Sequence, residues 1–348
     1  MKWLIGRHTL RAVGSRRRIA LWASVVAVES RERPVGESAS FDHFILTRFS
    51  AVFREGLEPP AEEWLRFRLE LFRGVCCPSV RAQTVPVRWL VFFDDRCSRE
   101  FRAEVEQLAN GLFEPVWTHV AFDHVCQAAV GERARAAYVI TTRLDSDDAI
   151  ACEYAGAIQA EFAHQDLLYL SFPRGLQIDR AGTVYRYTYP SGPFISLIER
   201  RRGDALPRTV LAAPGRHREV RRLGPLREVQ SPAMWLQLVH DGNIANSVRG
   251  VRVDPRALDR FELEMGEPPR LGPVAHRRAQ ATSLARLVRF WSRNPYYAAQ
   301  WLDAMTDRVR GTHTKPRTAS TGPALVRMAR SVGFTAWRQR RTGRGSTS

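Results

Sequence analysis

A parallel or mixed α/β sheet with helices on both faces is the fold class that the sequence predicts, and two observations carry the prediction. Short apolar runs with the length of buried strands alternate with stretches whose apolar residues recur at helical spacing. Two acidic clusters, Asp94-Asp95 and Asp145-Ser146-Asp147-Asp148, each follow such a run directly. Alternation of this kind belongs to βα units, whose ligands collect outside the carboxyl ends of the strands.

The elements follow in order. Phe41 to Phe49 suits a first buried strand, and Pro59-Pro60 opens a helical stretch in which Trp64, Phe67, Leu71 and Phe72 share one side. Val87 to Phe93 is a second strand ending at Asp94. Ser98 is placed to cap a helix carrying Phe101, Val105 and Leu108. Val116 to Phe122 reads as a third strand, Tyr138 to Leu144 as a fourth and Leu167 to Phe172 as a fifth, with a helix from Asp147 to Phe162 before the fifth. Beyond residue 175 the rhythm changes. Leu176 to Asp179 and Thr183 to Tyr189 flank Arg180-Ala181-Gly182 as a hairpin. The expected organisation is a basic, flexible leader over 1–36 and one main domain over 37–253. That domain divides into a βα half, 37–150, and an irregular, strand-rich half, 151–253. A basic, partly helical extension over 254–348 follows, in which Leu284, Leu287, Val288 and Trp291 form one face of a helix from Ser283.

Composition bounds the partners. The 348 residues are 44% hydrophobic, enough for a large core, and carry a formal charge of +17, almost all of it arginine because Lys2 and Lys315 are the only lysines. Such a balance favours acidic partners, whether nucleotide phosphates, nucleic acid or an anionic membrane surface. Nucleic acid is set aside, since neither a recognised motif nor aromatic platforms interleaved with basic residues occur. No apolar run reaches transmembrane length. Arg16-Arg17-Arg18 before Ile19 to Val28 has the order of a secretory signal, but Glu29-Ser30-Arg31-Glu32-Arg33 stands where small residues would be cleaved, so a cytoplasmic protein is expected. Cys76, Cys77, Cys97, Cys126 and Cys152 are odd in number without paired spacing and read as reduced thiols.

The chemistry concentrates in the second acidic cluster. Asp145 and Asp147 flank one residue at a strand end, where alternate side chains share a side, so both carboxylates reach one ion, or one ion and a ribose. Three carboxylates within four residues repel one another unless a cation or donor compensates. The competing reading makes Ser146 or Asp147 the N-cap of the following helix.

Five segments then resemble one family: Phe44 to Phe49, Trp89 to Asp94, Ile140 to Asp148 (I-T-T-R-L-D-S-D-D), Pro193 to Glu199 and Trp235 to Asn246. In this order, over about residues 41–253, they look like the rhamnosyltransferase family of bacteria, related to glycosyltransferase family 2. The resemblance implies a GT-A-like Rossmann-type mixed sheet, a nucleoside-diphosphate sugar donor, Mn²⁺ or Mg²⁺, and a glycan or glycolipid acceptor. It also implies that Asp94 contacts the base, Asp145 the ribose or metal, and Asp147 the metal, with His240 completing the site. An ordinary half-buried histidine is the alternative for His240. Thr47 and Arg48 end the first strand where donor contacts gather, and Arg48 and Arg143 can each fork onto a diphosphate or pair with a neighbouring Asp. An inverting transfer needs a base, for which Glu199 is the choice and Asp148 the second; Glu199 as a solvated charge beside Arg200 to Arg202 is the competing reading. Pro193-Phe194 is assigned to the acceptor wall. The Leu284 to Trp291 face with its arginines suits either a helix on anionic lipid, peripheral to the inner membrane, or one packed on the core. Another metal-dependent phosphoryl or nucleotidyl enzyme, and a non-catalytic basic binding protein, are the rival functions.

Overall fold

The computed structural model describes residues 41–52, 56–189, 192–211, 217–240 and 248–295, together with 298–299 and 302. The leader over 1–36, Asp241 to Asn246 of the last family segment, and the tail beyond 302 lie outside them.

Strand β1 (Phe41–Arg48) opens the chain, followed by α1 (Glu62–Leu71), a π-helical turn at Phe72–Cys76, and α2 (Cys77–Arg81). Then come β2 (Arg88–Phe93), α3 (Arg99–Ala109), β3 (Glu114–Trp117), α4 (Phe122–Arg133) and β4 (Tyr138–Arg143). After β4 lie β5 (Ala149–Ile150), α5 (Tyr154–Ala160), β6 (Leu167–Ser171), β7 (Arg174–Asp179), β8 (Val184–Thr188) and β9 (Ile195–Arg200). The last elements are β10 (Leu226–Glu228), β11 (Trp235–Val239), β12 (Val251–Arg252) and α6 (Pro273–Arg293).

Two sheets result: a seven-stranded one in the order β10-β6-β9-β4-β1-β2-β3 and a five-stranded one in the order β12-β8-β7-β11-β5. In the first, β1 runs parallel to both β2 and β4, and β2 to β3, while β9 lies antiparallel between β4 and β6. The mixed α/β class expected from the sequence is the architecture observed.

Period-two alternation explains why the first sheet is covered on both faces. Phe41, Ile45, Trp89, Val91 and Phe93 pack with Leu65 and Leu69 of α1 and Phe101 and Val105 of α3. Phe44, Leu46, Leu90 and Phe92 face the other way, onto Phe122, Cys126 and Val130 of α4. A strand buried on both faces reads as a continuous apolar run, which is how β2 appears in the sequence. Trp235 joins the second sheet to this core, fully buried and stacked on Phe194 with ring centroids 4.8 Å apart. Gly175 admits it, because a Cβ there would stand 2.0 Å from the indole. The core continues past residue 253 to Leu258 and Phe261.

Several expected elements differ. Ser98 caps α3 as expected, accepting from the Phe101 amide at 3.1 Å. The third strand stops at Trp117, where the Thr118 side chain accepts from the Val120 amide and turns the chain into α4, a helix the reading missed. The helix expected from Asp147 starts only at Tyr154, since Ala149–Ile150 pairs with Trp235 and Leu236. Helix α6 begins at Pro273, ahead of Ser283. All five cysteines are free. No helix among the described residues is long and apolar enough to cross a membrane.

Candidate functional site

The parallel strands set the site. Arg48 lies opposite Phe92, and Leu46 opposite Arg143, so the chain leaving β1, β2 and β4 emerges at one rim. Main-chain bonds stitch these ends together: the Phe49 amide donates to Phe92 O at 2.9 Å and the Leu144 amide to Leu46 O at 3.1 Å. The Asp94 amide donates to Ser50 Oγ at 3.0 Å. Asp94 and the Asp145 to Asp148 turn therefore share that rim.

The turn is held from the second sheet. Its Asp148 amide closes onto Asp145 O, and β5 then pairs with β11, which carries His240 just beyond its end. Asp148 is 1% exposed and accepts from the Leu238 amide at 3.0 Å. Burial and the neighbouring Asp147 and Asp145 charges push its carboxyl well above the usual carboxylate range.

Asp147 is the centre of the arrangement. Arg68, in the last turn of α1, donates to Asp147 Oδ2 at 2.6 Å and Oδ1 at 3.0 Å, and to Ser146 Oγ at 2.6 Å. His240 Nε2 lies 2.9 Å from Asp147 Oδ2, with the Phe67 ring of α1 edge-on to the imidazole. The side chains are nearly sealed, 7% exposed for Asp147 and 2% for His240. Burial opposes ionisation of Asp147, yet the His240 hydrogen bond and the Arg68 charge outweigh it and hold the carboxyl below its ordinary value. Helix α5 has Glu153 at its N-cap position, so the N-cap reading of Ser146 and Asp147 falls away.

The other donor candidates have partners of their own. Asp94 accepts from Arg96 through the backbone amide, Nε and Nη2, at 2.9, 3.0 and 2.7 Å. Arg143 forks onto Asp145 at 3.1 Å through two nitrogens. Arg48 donates to Ala51 O at 3.1 Å, and burial lowers its guanidinium to about 10. Thr47 is fully buried and accepts from Trp89 Nε1 at 2.9 Å, which binds it to the core and not to the rim.

Three expectations need correction. Glu199 sits on antiparallel β9 opposite Val139, near the start of β4, roughly 20 Å along the strand direction from Asp145. There it is 5% exposed and accepts from the Arg208 and Thr209 amides at 2.9 and 3.0 Å, neither a base at the rim nor a solvated charge. Burial raises its carboxyl, against the pull of those amides. Asp148 is likewise sealed and tied to Leu238, so it has no access to an acceptor. Phe194, expected on the acceptor wall, is buried against Trp235.

The metal set is assembled only in part. Asp145 turns toward Arg143 with its side chain 41% exposed, and among the described residues no three His, Cys, Asp or Glu side chains gather as ion ligands. Asp147 and His240, a carboxylate and an imidazole in contact, still fit Mn²⁺ or Mg²⁺, because such ions take few protein donors and fill the rest with phosphate oxygens and water. The positive charge now on that carboxylate is Arg68. The sequence reading missed Arg68 and Arg96. Arg68 stands four residues after Trp64, whose ring lies 5.5 Å from its guanidinium, but Arg48 follows Phe44 and Arg96 follows Phe92 by the same step, so that spacing did not single it out.

Residues 60–252 match the family model described as "Putative rhamnosyl transferase". No curated protein matches the chain. Among solved structures, S. aureus TarS 1-349 is similar at 13% identity and TM-score 0.34, over 57% of this chain and 60% of that one. Its complex with UDP-GlcNAc gives 15% identity and TM-score 0.35, over 77% and 80%. HddC from Yersinia pseudotuberculosis gives 11% and 0.28, over 57% and 89%. These overlaps are weak, and the family assignment stands on the family model alone.

Proposed function

This chain belongs to the rhamnosyl transferase family, a family of glycosyltransferases, and from that premise we propose that it moves a sugar from a nucleoside-diphosphate donor to a glycan or glycolipid acceptor. The donor binds at the rim where β1, β2 and β4 end. One observation carries this reading: Asp147, nearly sealed and ionised, lies between Arg68 and His240 beside the more exposed Asp145. A carboxylate kept charged while nearly sealed from solvent is arranged to meet cations and the anions they carry.

Sugar transfer builds charge on the leaving diphosphate; Asp147 and His240 would hold a Mn²⁺ or Mg²⁺ ion, which would supply its neutralisation. Arg143 and Arg48 stand at the same rim as donors to phosphate oxygens. Asp94, held ionised by Arg96, is placed to accept from a base edge, and Asp145 from ribose hydroxyls. Rhamnose is the donor sugar that the family name points to. A panel of nucleotide sugars, including a rhamnosyl donor, tests the reading. Release of nucleoside diphosphate that depends on Mn²⁺ or Mg²⁺ is expected; pyrophosphate release instead, or no turnover with any donor, overturns it.

The acceptor is lipid-linked in this reading, and α6 brings the enzyme to it at the inner face of the membrane. That helix holds Arg277, Arg278, Arg286, Arg289 and Arg293 and no acidic residue. Of its residues only Ser283 is buried, accepting from the Arg252 amide, while Val274, Leu284 and Val288 are exposed. A cationic helix with free apolar side chains suits an anionic lipid surface. Full-length protein should sediment with anionic vesicles, and Leu284→Glu with Val288→Glu should weaken this several-fold; equal sedimentation of both overturns it.

A further inference from the structure

We propose that Arg68 is a donor-binding residue with two resting places: on the Asp147 carboxylate while the donor site is empty, and on the donor's diphosphate once a divalent cation takes that carboxylate. The inference rests on the metal-and-donor reading above and deepens it.

The geometry supplies the first half. Arg68 spends Nη1 and Nη2 on the two oxygens of Asp147, and Nη2 also on Ser146 Oγ. With His240 on Oδ2 as well, that oxygen carries two partners. A guanidinium fork and a divalent cation compete for the same edge of a carboxylate, so the cation displaces the fork or is excluded by it. Arg68 therefore sets how readily the site loads.

Chemistry supplies the second half. Arg68 Nε is buried without a hydrogen-bond partner, so the contacts seen leave that donor unused. A planar fork with a spare donor matches the oxygens of a diphosphate better than it matches the single carboxylate it now holds. Arg48 is drawn by Asp145 and, less strongly, repelled by both Arg143 and Arg68, which places three guanidinium groups within electrostatic reach of one another. An anion arriving among them relieves that repulsion, and a cation arriving on Asp147 frees one of them to meet it. Loading of metal and of diphosphate is then cooperative, because each favours the arrangement that the other requires.

Titration calorimetry of the full-length chain with MnCl₂ alone, and with UDP and dTDP at saturating MnCl₂, tests this in wild type, Arg68→Gln and Arg68→Lys. Removing the competing charge in Arg68→Gln should tighten Mn²⁺ binding in the absence of nucleotide by about tenfold, and weaken diphosphate binding by about tenfold or more. Arg68→Lys keeps the charge without the fork, so it should tighten Mn²⁺ less and retain part of the diphosphate affinity. It also serves as the test should Arg68→Gln not fold. Equal Mn²⁺ affinity in wild type and variants overturns the exchange and leaves the metal reading standing. Unchanged diphosphate affinity also overturns it. Absence of Mn²⁺ binding in all three proteins overturns the metal reading and this inference together.

Discussion

At the rim where β1, β2 and β4 end, Asp94, Asp145 and Asp147 bond to guanidinium groups and an imidazole; at the rim where they begin, Asp42 and Glu199 bond to main-chain amides. Asp42 Oδ2 takes the Arg135 and Ala136 amides at 2.6 and 2.8 Å, fixing the approach to β4, and Glu199 fixes the 208–209 loop. The difference separates ligand chemistry from scaffolding. Arginine and histidine side chains can leave a carboxylate by rotating, so the carboxylates they guard are open to a competing cation or ligand. An amide can leave only if the backbone moves, so a carboxylate held by amides alone belongs to the fold, whereas Asp94, held by one amide and a guanidinium, keeps an edge that a ligand can take.

The contrast breaks most visibly at its two centres. Asp147→Ala should reduce Mn²⁺-dependent nucleoside diphosphate binding by about a hundredfold or more, since it removes the carboxylate of the pair assigned to the ion and leaves Arg68 uncompensated. Calorimetry checks this, and unchanged affinity would place the donor elsewhere. Glu199→Gln should keep donor binding yet cost about 1–3 kcal/mol of stability, because one of two buried amides then faces an amide nitrogen. Chemical denaturation measures it; loss of turnover without loss of stability would return Glu199 to the chemistry.

Acid sharpens the picture between the rims. His43 on β1 is buried among Thr142, Ser196 and Gln159, with Nε2 2.9 Å from Thr142 Oγ1, and burial lowers its imidazole from 6.5 to about 3. Below pH 6.5 the unfolded chain takes up a proton that the folded imidazole refuses. Stability from this group is therefore full above that pH and falls by about 1.4 kcal/mol per pH unit on acidification toward the folded value. Denaturant midpoints at pH 7 and 5 should differ less in His43→Gln than in wild type, and an identical difference would contradict the assignment. The smallest effect is expected for Asp148→Asn. Burial pushes the Asp148 carboxyl up, toward its neutral form, and Asn is a neutral isostere that still accepts from Leu238, so the change should stay within about 1 kcal/mol at neutral pH. A loss several times larger would show that Asp148 acts as an anion.

These residues also explain what was legible in the sequence. The apolar runs that became β1, β2 and β4 are buried on both faces, and the acids after β2 and β4 fell at one rim because parallel strands share an end. Strand direction leaves no trace in an apolar run. Glu199 follows I-S-L-I as Asp145 follows T-T-R-L, yet β9 runs against β4 and carries its acid to the opposite rim. The two-residue β5 exists only through Trp235 and Leu236, some ninety positions away, so local propensity extended the helix over it. Arg68 was hidden by abundance, since its partner on Asp147 lies 79 positions off in a chain that uses arginine for nearly every positive charge.

Hydrogen exchange of the full-length protein with and without UDP and MnCl₂, read by mass spectrometry, compares the two rims in one experiment. The account predicts slowed exchange in peptides covering 46–52, 94–96, 143–150 and 238–240, with 134–137 and 199–211 unchanged. Protection confined to the latter pair would put the donor at the Glu199 rim and contradict it.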